Sequence, residues 1–375
     1  MSTSTQPNAP FRADIVGSFL RPQAVKDARA AYVAGKLDAS GLKAVEDEAI
    51  RDLVAKQKAA GLQVITDGEF RRSYWHLDFM WGLNGIERRA SRTGYMFHDE
   101  ETTADTAAVT GPISGENHPF VEHFKFVKQF ADENTVARQT MPSPAQTRFV
   151  LTGNAAAYPY DEFYKNDDEL TADIVAAYRQ VIADLYAAGC RNVQFDDCTW
   201  TRLCDASVRE RLGWSDEDAL RLQQENLDVI NAVIADQPDD LVINTHVCRG
   251  NFHSTWLSSG GYAPVAAKLF GEENVDAYYL EFDDDRSGDF APLAEVSGDK
   301  KVVLGLITSK KPDLEDPDTI KARIQEAAQY IPLDRLCLST QCGFASTQEG
   351  NKLTEDQQWA KIALVQSIAK DVWGE

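Results

Sequence analysis

The chain has 375 residues and a formal net charge of -21, from 59 acidic and 38 basic side chains. That balance excludes a surface built to grip a nucleic-acid backbone or an anionic membrane, although local Arg or Lys can still hold a small anion. Hydrophobic residues make up 43% of the chain, enough for a large core without covalent staples, so the six cysteines read as reduced thiols rather than a disulfide scaffold.

Met1 to Pro10 is polar and lacks the basic-then-apolar order of a signal segment. No apolar run reaches the length of a membrane span. The expectation is a cytoplasmic protein. The first predicted strand is Ala13–Gly17, followed by helical patterns over Gln23–Ala34 and Ala39–Ala60. A second strand is Gln63–Thr66. The polar stretch from about residue 71 to 134 breaks the rhythm, and alternation in Gly94–Phe97 and Ala107–Ile113 predicts an inserted hairpin. Strand three is Thr135–Thr140, with a helix over Leu170–Ala188. Strand four is Asn192–Phe195, with a helix near Asp216–Asp236. Strand five is Leu241–Thr245, with a helix at Pro264–Phe270. Strand six is Ala277–Leu280. Strand seven is Val302–Ile307, with a helix at Thr319–Tyr330. Strand eight is Leu336–Ser339, followed by a last helix over Thr354–Val372.

Eight strand–helix units predict an α/β chain folded as a (β/α)8 TIM barrel. It reads as one domain, 1–375, with the insertion at approximately 71–134. A doubly wound sheet is the alternative, weakened because no Gly-x-Gly-x-x-Gly turn follows any strand.

In a barrel, chemistry belongs at the C-terminal ends of the strands. His246-Val247-Cys248 closes strand five, and residues two apart on an extended chain share a side. Strand six ends in Glu281, and Cys342 lies just past strand eight. A lone His-x-Cys is weak evidence, because cysteine is often a small buried hydrophobe. Its recurrence across three strand ends points to a four-ligand zinc set of His246, Cys248, Glu281 and Cys342. Two thiolate ligands damp the Lewis acidity of the metal toward water and suit it to a third sulfur, a substrate thiol activated for alkyl transfer. At other strand ends stand Gly17-Ser18, Asp67-Gly68-Glu69, Asp196-Asp197 and Thr308. Gly17 permits close backbone approach, and Ser18 can donate to a carboxylate; an ordinary turn is the plainer reading. The paired acids suit a ligand ammonium, or simply solvation.

These segments together resemble the cobalamin-independent methionine synthase family, in its short single-barrel bacterial branch. The resemblance rests on Phe11–Pro22, Val64–Trp75, Gln194–Trp200, Thr245–Phe252, Glu281–Phe290 and Leu338–Ser346. It implies methyl transfer from a 5-methyltetrahydrofolate to homocysteine, with zinc on His246, Cys248, Glu281 and Cys342. It implies that Val16, Gly17 and Ser18 hold homocysteine through a backbone turn, and that Glu69 and Asp196 take its ammonium. Two departures fall on the donor side. Thr308 stands where long members carry a proton-donating histidine, and Arg202 stands where they carry a folate-contacting glutamate. Thr308, through a held water, and Asp197 are then the candidates for moving the proton, with Asp283 behind them. The alternatives are a methyl-corrinoid donor, alkyl transfer to another thiol as in epoxyalkane–coenzyme M transferases, or a site that binds without turnover.

Overall fold

The computed structural model describes residues 8–374. Two helices, α1 (Gln23–Val33) and α2 (Ala39–Ala59), lead into the short strand β1 (Val64–Ile65). The insertion follows: α3 (Leu77–Gly82), the arms β2 (Asn84–Ala90) and β3 (Asp105–Ser114), and α4 (Pro119–Lys128). The chain then continues through β4 (Val136–Ala137), β5 (Gln139–Pro142), α5 (Pro144–Gly153), α6 (Asp167–Ala187) and β6 (Asn192–Asp197). Next come α7 (Thr199–Cys204), α8 (Ala206–Leu212), α9 (Asp216–Ile234), β7 (Val242–Val247), α10 (Ala266–Glu272) and β8 (Ala277–Glu281). The last elements are β9 (Lys301–Ile307), α11 (Pro317–Ala327), β10 (Leu336–Thr340) and α12 (Glu355–Trp373).

Six strands, β5 to β10, form one parallel sheet in chain order. Nearly all of their residues are buried, on both faces, as parallel strands with covered faces require. The ring closes through less regular pairings. Ala13 bridges Leu338, Ser18 bridges Gly68, and β1 pairs with β4. This is the expected TIM-barrel architecture. Several details differ from the sequence expectation. The expected strand Ala13–Gly17 is reduced to isolated bridges, and helices α3, α4, α5, α7 and α8 were not expected. The third strand is split at Arg138 into β4 and β5. The first hairpin arm is Asn84–Ala90; Gly94–Phe97 lies instead at the tip, near the Met96–Glu101 bridge. The charged run Glu87-Arg88-Arg89 masked that arm, in which Ile86 is the single buried residue and no alternation shows.

The split at Arg138 has a physical cause. Its guanidinium enters the barrel interior, where it pairs with Asp14 at 3.1 Å, both side chains being fully buried. It also donates to the Ile15 carbonyl at 2.6 Å and to Asn192 Oδ1 at 2.7 Å, and lies 4.8 Å from the Tyr279 ring centroid. One side chain thus ties the irregular first strand to β6 and β8. Removing one partner of such a pair strands the other charge in a low-dielectric core. Arg138→Met should therefore cost about 3–5 kcal/mol in urea unfolding. A loss below about 1 kcal/mol, the scale of a surface pair, would show that the hub does not hold the barrel.

Candidate active site

The C-terminal ends of the strands open into one cavity, lined by Glu69, Asp196, His246, Cys248 and Cys342 among others. His246 ends up on its floor because β7 alternates: Thr245 and Val247 turn away, and His246 and Cys248 turn in. The ligand atoms of His246, Cys248 and Cys342 all lie within 4.8 Å of one another. The two sulfurs are 3.6 Å apart and unbridged. Two thiolates on one tetrahedral zinc would sit about 3.8 Å apart, from bonds of about 2.3 Å.

The donor set fits a metal on grounds beyond spacing. His246 Nδ1 faces the Tyr279 carbonyl at 3.1 Å, which fixes Nδ1 as the protonated nitrogen and leaves Nε2 as a lone pair. That Nε2 is buried and has no partner. Glu281 Oε1 accepts the Arg249 backbone N–H at 2.6 Å, while its Oε2 is buried and unpartnered. The Gly250 N–H points at Cys248 Sγ, 3.3 Å away. Without a cation the thiols suffer: contact with Cys198 pushes Cys248 well above the usual thiol range, and contact with Cys248 does the same to Cys342. A divalent cation would answer all of these at once. Glu281 stands apart from the three-residue cluster, with one oxygen engaged and the other free.

Above this floor lie the other predicted residues. Glu69 adopts a left-handed conformation, φ 62°, held by its own N–H donating to Asp67 Oδ1 at 2.8 Å. This turn aims its carboxylate into the cavity, where Oε2 is unpartnered. Asp196 lines the same wall, held by Gln194 Nε2 at 2.9 Å. Burial raises both carboxyls, Asp196 well above its ordinary range, with Glu69 adding repulsion to Asp196. Arg72, 3.2 Å from Glu69, offsets only part of this. Val16 and Ser18 also line the cavity. Gly17 lies behind them at φ +135°, a conformation that favours glycine. Gly343 is equally constrained, because a Cβ there would fall 1.9 Å from Ser18 Oγ.

Of the predicted residues, Gly17, Glu281, Asp197 and Thr308 do not line the cavity. Asp197 follows Asp196 on β6 and so points to the opposite face. Its oxygens accept from Ser143 Oγ, Thr199 N–H at 2.5 Å and Thr199 Oγ1 at 2.6 Å, which anchors the start of α7. Thr308 accepts from the Lys310 N–H at 3.2 Å, and its own N–H donates to Glu315.

Sequence reasoning missed the roof. Trp75 packs against the cluster of Cys198, Cys248 and Cys342. His76, Tyr95 and Phe97 complete an aromatic wall, the last two from the hairpin tip. The signal available was a concentration of aromatics in a polar insertion, which solvation alone does not explain.

Residues 11–363 match the family of the cobalamin-independent synthase catalytic domain. The chain belongs to the cobalamin-independent methionine synthase family. The family is of methionine synthase type, moving a methyl group to homocysteine. The chain is 46% identical over 372 residues to the uncharacterized protein YxjH of Bacillus subtilis, spanning 99% of this chain and 97% of YxjH. It is 26% identical to a 5-methyltetrahydropteroyltriglutamate–homocysteine methyltransferase of Cronobacter sakazakii, over 88% of this chain but only 39% of that longer enzyme. Among solved structures, a Listeria monocytogenes protein described as a candidate vitamin-B12-independent methionine synthase superposes with a TM-score of 0.77 at 40% identity, over 98% of this chain and 99% of that one. A B12-independent methionine synthase of Shewanella, at 19% identity and TM-score 0.71 over 97% and 98% of the two chains, shares the fold. Among the described residues, no helix is long and apolar enough to cross a membrane.

The repulsion between Glu69 and Asp196 makes a stability prediction. The raised folded-state value of Asp196 means its ionised form costs stability, so stability falls as pH rises past the ordinary carboxylate range. Asp196→Asn removes that cost. It should raise Tm by about 2–4 °C at pH 8, with the gain fading toward pH 4, in scanning calorimetry. A lower Tm at pH 8 would mean that the carboxylate is a net stabiliser.

Proposed function

We propose that this chain is a zinc-dependent methyltransferase that methylates the thiol of homocysteine to give methionine. In this reading residues 1–375 act as one catalytic barrel, with the stretch near 71–134 inserted to roof it. The observation that carries the reading is one cavity holding both a His–Cys–Cys cluster with unpartnered donor atoms and a pair of repelling buried carboxylates. A thiol amino acid matches both ends.

His246, Cys248 and Cys342 would hold the ion, with Glu281 as fourth ligand through its free Oε2. Zinc supplies Lewis acidity that keeps an acceptor thiol deprotonated near neutral pH. Glu69 and Asp196 take the substrate ammonium, which relieves their mutual repulsion and draws both into the ionised state. Ser18 and the backbone of the Val16–Ser18 turn take the substrate carboxylate. Trp75 covers the thiols and excludes water from the nucleophile. The family's methylfolate is the first donor to test. Methylfolate turnover should be slow, because its leaving nitrogen needs a proton and neither Thr308 nor Asp197 reaches the cavity lining.

Two measurements test this. Purified protein should bind one equivalent of zinc, and Cys342→Ser should lose most of it; full retention in that variant would sink the metal assignment. Homocysteine binding to the zinc-loaded protein should release close to one proton near pH 7, read by calorimetry in buffers of different ionisation enthalpy. Glu69→Gln should weaken that binding about ten- to a hundredfold and leave zinc in place. Binding with no proton release would mean the substrate is not held as a thiolate.

A further inference from the structure

The donor half of the cavity carries a charge that the acceptor reading leaves unused. Arg202 is only 8% exposed, yet among the described residues its guanidinium makes no ion pair and no hydrogen bond. It stacks on Phe149, 4.1 Å from the ring centroid, and lines the same cavity as the thiols. It stands four residues after Cys198 across the start of α7, so the two share a face, and Cys198 packs on Cys248 and Cys342. A buried cation with no partner is costly and calls for an anion.

The walls around it call for something different. Trp75 covers the thiol cluster, the His76 ring lies 4.6 Å from it, and Tyr95 lies 5.3 Å from His76. Phe97 extends this wall. Burial holds His76 neutral, its value lowered to about 3, and holds Tyr95 protonated, its value raised to about 12. The wall is therefore an uncharged aromatic surface beside the nucleophile, the kind that stabilises an onium centre through ring faces. A bare onium would be repelled by Arg202. A bare anion would gain nothing from the aromatic wall.

We propose that the space between Trp75 and Arg202 takes as methyl donor a short zwitterion, with the methyl on a sulfonium or quaternary ammonium centre and a carboxylate a few bonds away. This rests on the methyl-transfer reading above and names its donor class. The carboxylate pairs with Arg202, and the onium lies against Trp75 over the thiols. In the transfer, the acceptor thiolate's electron pair forms the new S–CH3 bond. The bond from methyl to the onium atom breaks, and its electrons stay on that atom, giving a neutral thioether or tertiary amine. No proton is needed at the leaving group, which matches a lining in which Thr308 and Asp197 take no part.

The test uses the zinc-loaded protein and calorimetry. Dimethylsulfonioacetate and glycine betaine are the zwitterions, and trimethylsulfonium is the probe without a carboxylate. At least one zwitterion should bind roughly tenfold or more tighter than trimethylsulfonium. Arg202→Gln should erase that difference while leaving homocysteine affinity unchanged, and Arg202→Lys should restore part of it. Trp75→Leu should weaken zwitterion and trimethylsulfonium alike. With homocysteine present, the bound zwitterion should yield methionine and demethylated product in equal amounts. The proposal is overturned if the zwitterions bind no tighter than trimethylsulfonium, if Arg202→Gln leaves the difference intact, or if a tightly bound zwitterion transfers no methyl. Homocysteine binding with proton release in the same preparation separates the two readings: where it persists and the zwitterions fail, only the donor assignment falls.

Discussion

The ion pair between Arg138 and Asp14 is the constraint on which the rest of the molecule depends. The first strand of the barrel has few backbone partners: Asp14 N–H donates to Leu338, and Leu338 N–H to Arg12. That is too little to fix a strand whose far end presents Val16, Gly17 and Ser18. Arg138 supplies the missing restraint from inside, through Asp14 and the Ile15 carbonyl. It breaks its own strand into β4 and β5 to do so, and Asn192, Gln194 and Tyr279 satisfy its remaining donors. A fully paired polar hub specifies one register where an apolar interior would tolerate several.

Above that hub the site is the reverse, a set of polar groups left incomplete. His246 Nε2, Glu281 Oε2 and Glu69 Oε2 are buried without partners. Each costs stability in the free protein, and each is answered only by something bound. The scaffold bears the cost because rigid elements hold these atoms. β7 carries the imidazole, β8 carries Glu281, and a left-handed Glu69 is locked by Asp67. The cost of these three groups falls where a ligand can reverse it.

The strands from β6 onward were legible in the sequence, because each gathers apolar, β-branched or aromatic residues into a short run between helical patterns. The thiol and imidazole at their ends were legible for the same reason, since polar residues just past such a run must face the mouth. Alternation set the limit. Asp196 and Asp197 look equivalent as a pair of acids, but successive residues on a strand point to opposite faces, and only Asp196 can enter the cavity. The split at Arg138 was hidden because nothing local marks an arginine that turns inward. The roof was hidden because Tyr95 and Phe97 reach the cavity only once β2 and β3 pair and fold over the mouth. That contact is tertiary, and no periodicity reports it. Their loop is clasped from outside by Glu100, which meets both His253 and Lys352.

The charge balance of the mouth follows from the same geometry. A chain of net charge -21 concentrates two thiols and the carboxylates of Glu69, Asp196 and Glu281 at one end of its barrel. Buried arginines offset them from below and behind. Arg21 binds the carbonyls of Phe19 and Ala345, its value lowered by burial to about 10. Arg72 reaches the Thr140 carbonyl and lies on the Phe120 ring. Arg249 rests on Tyr262 beside Glu281. These cations act through backbone and ring faces as well as through charge, so they brace the strand ends while they hold the acids ionisable. Because they sit behind the cavity wall, the carboxylates in front keep their free oxygens for a ligand. Had the arginines paired with those oxygens directly, the site would be more stable and empty of function.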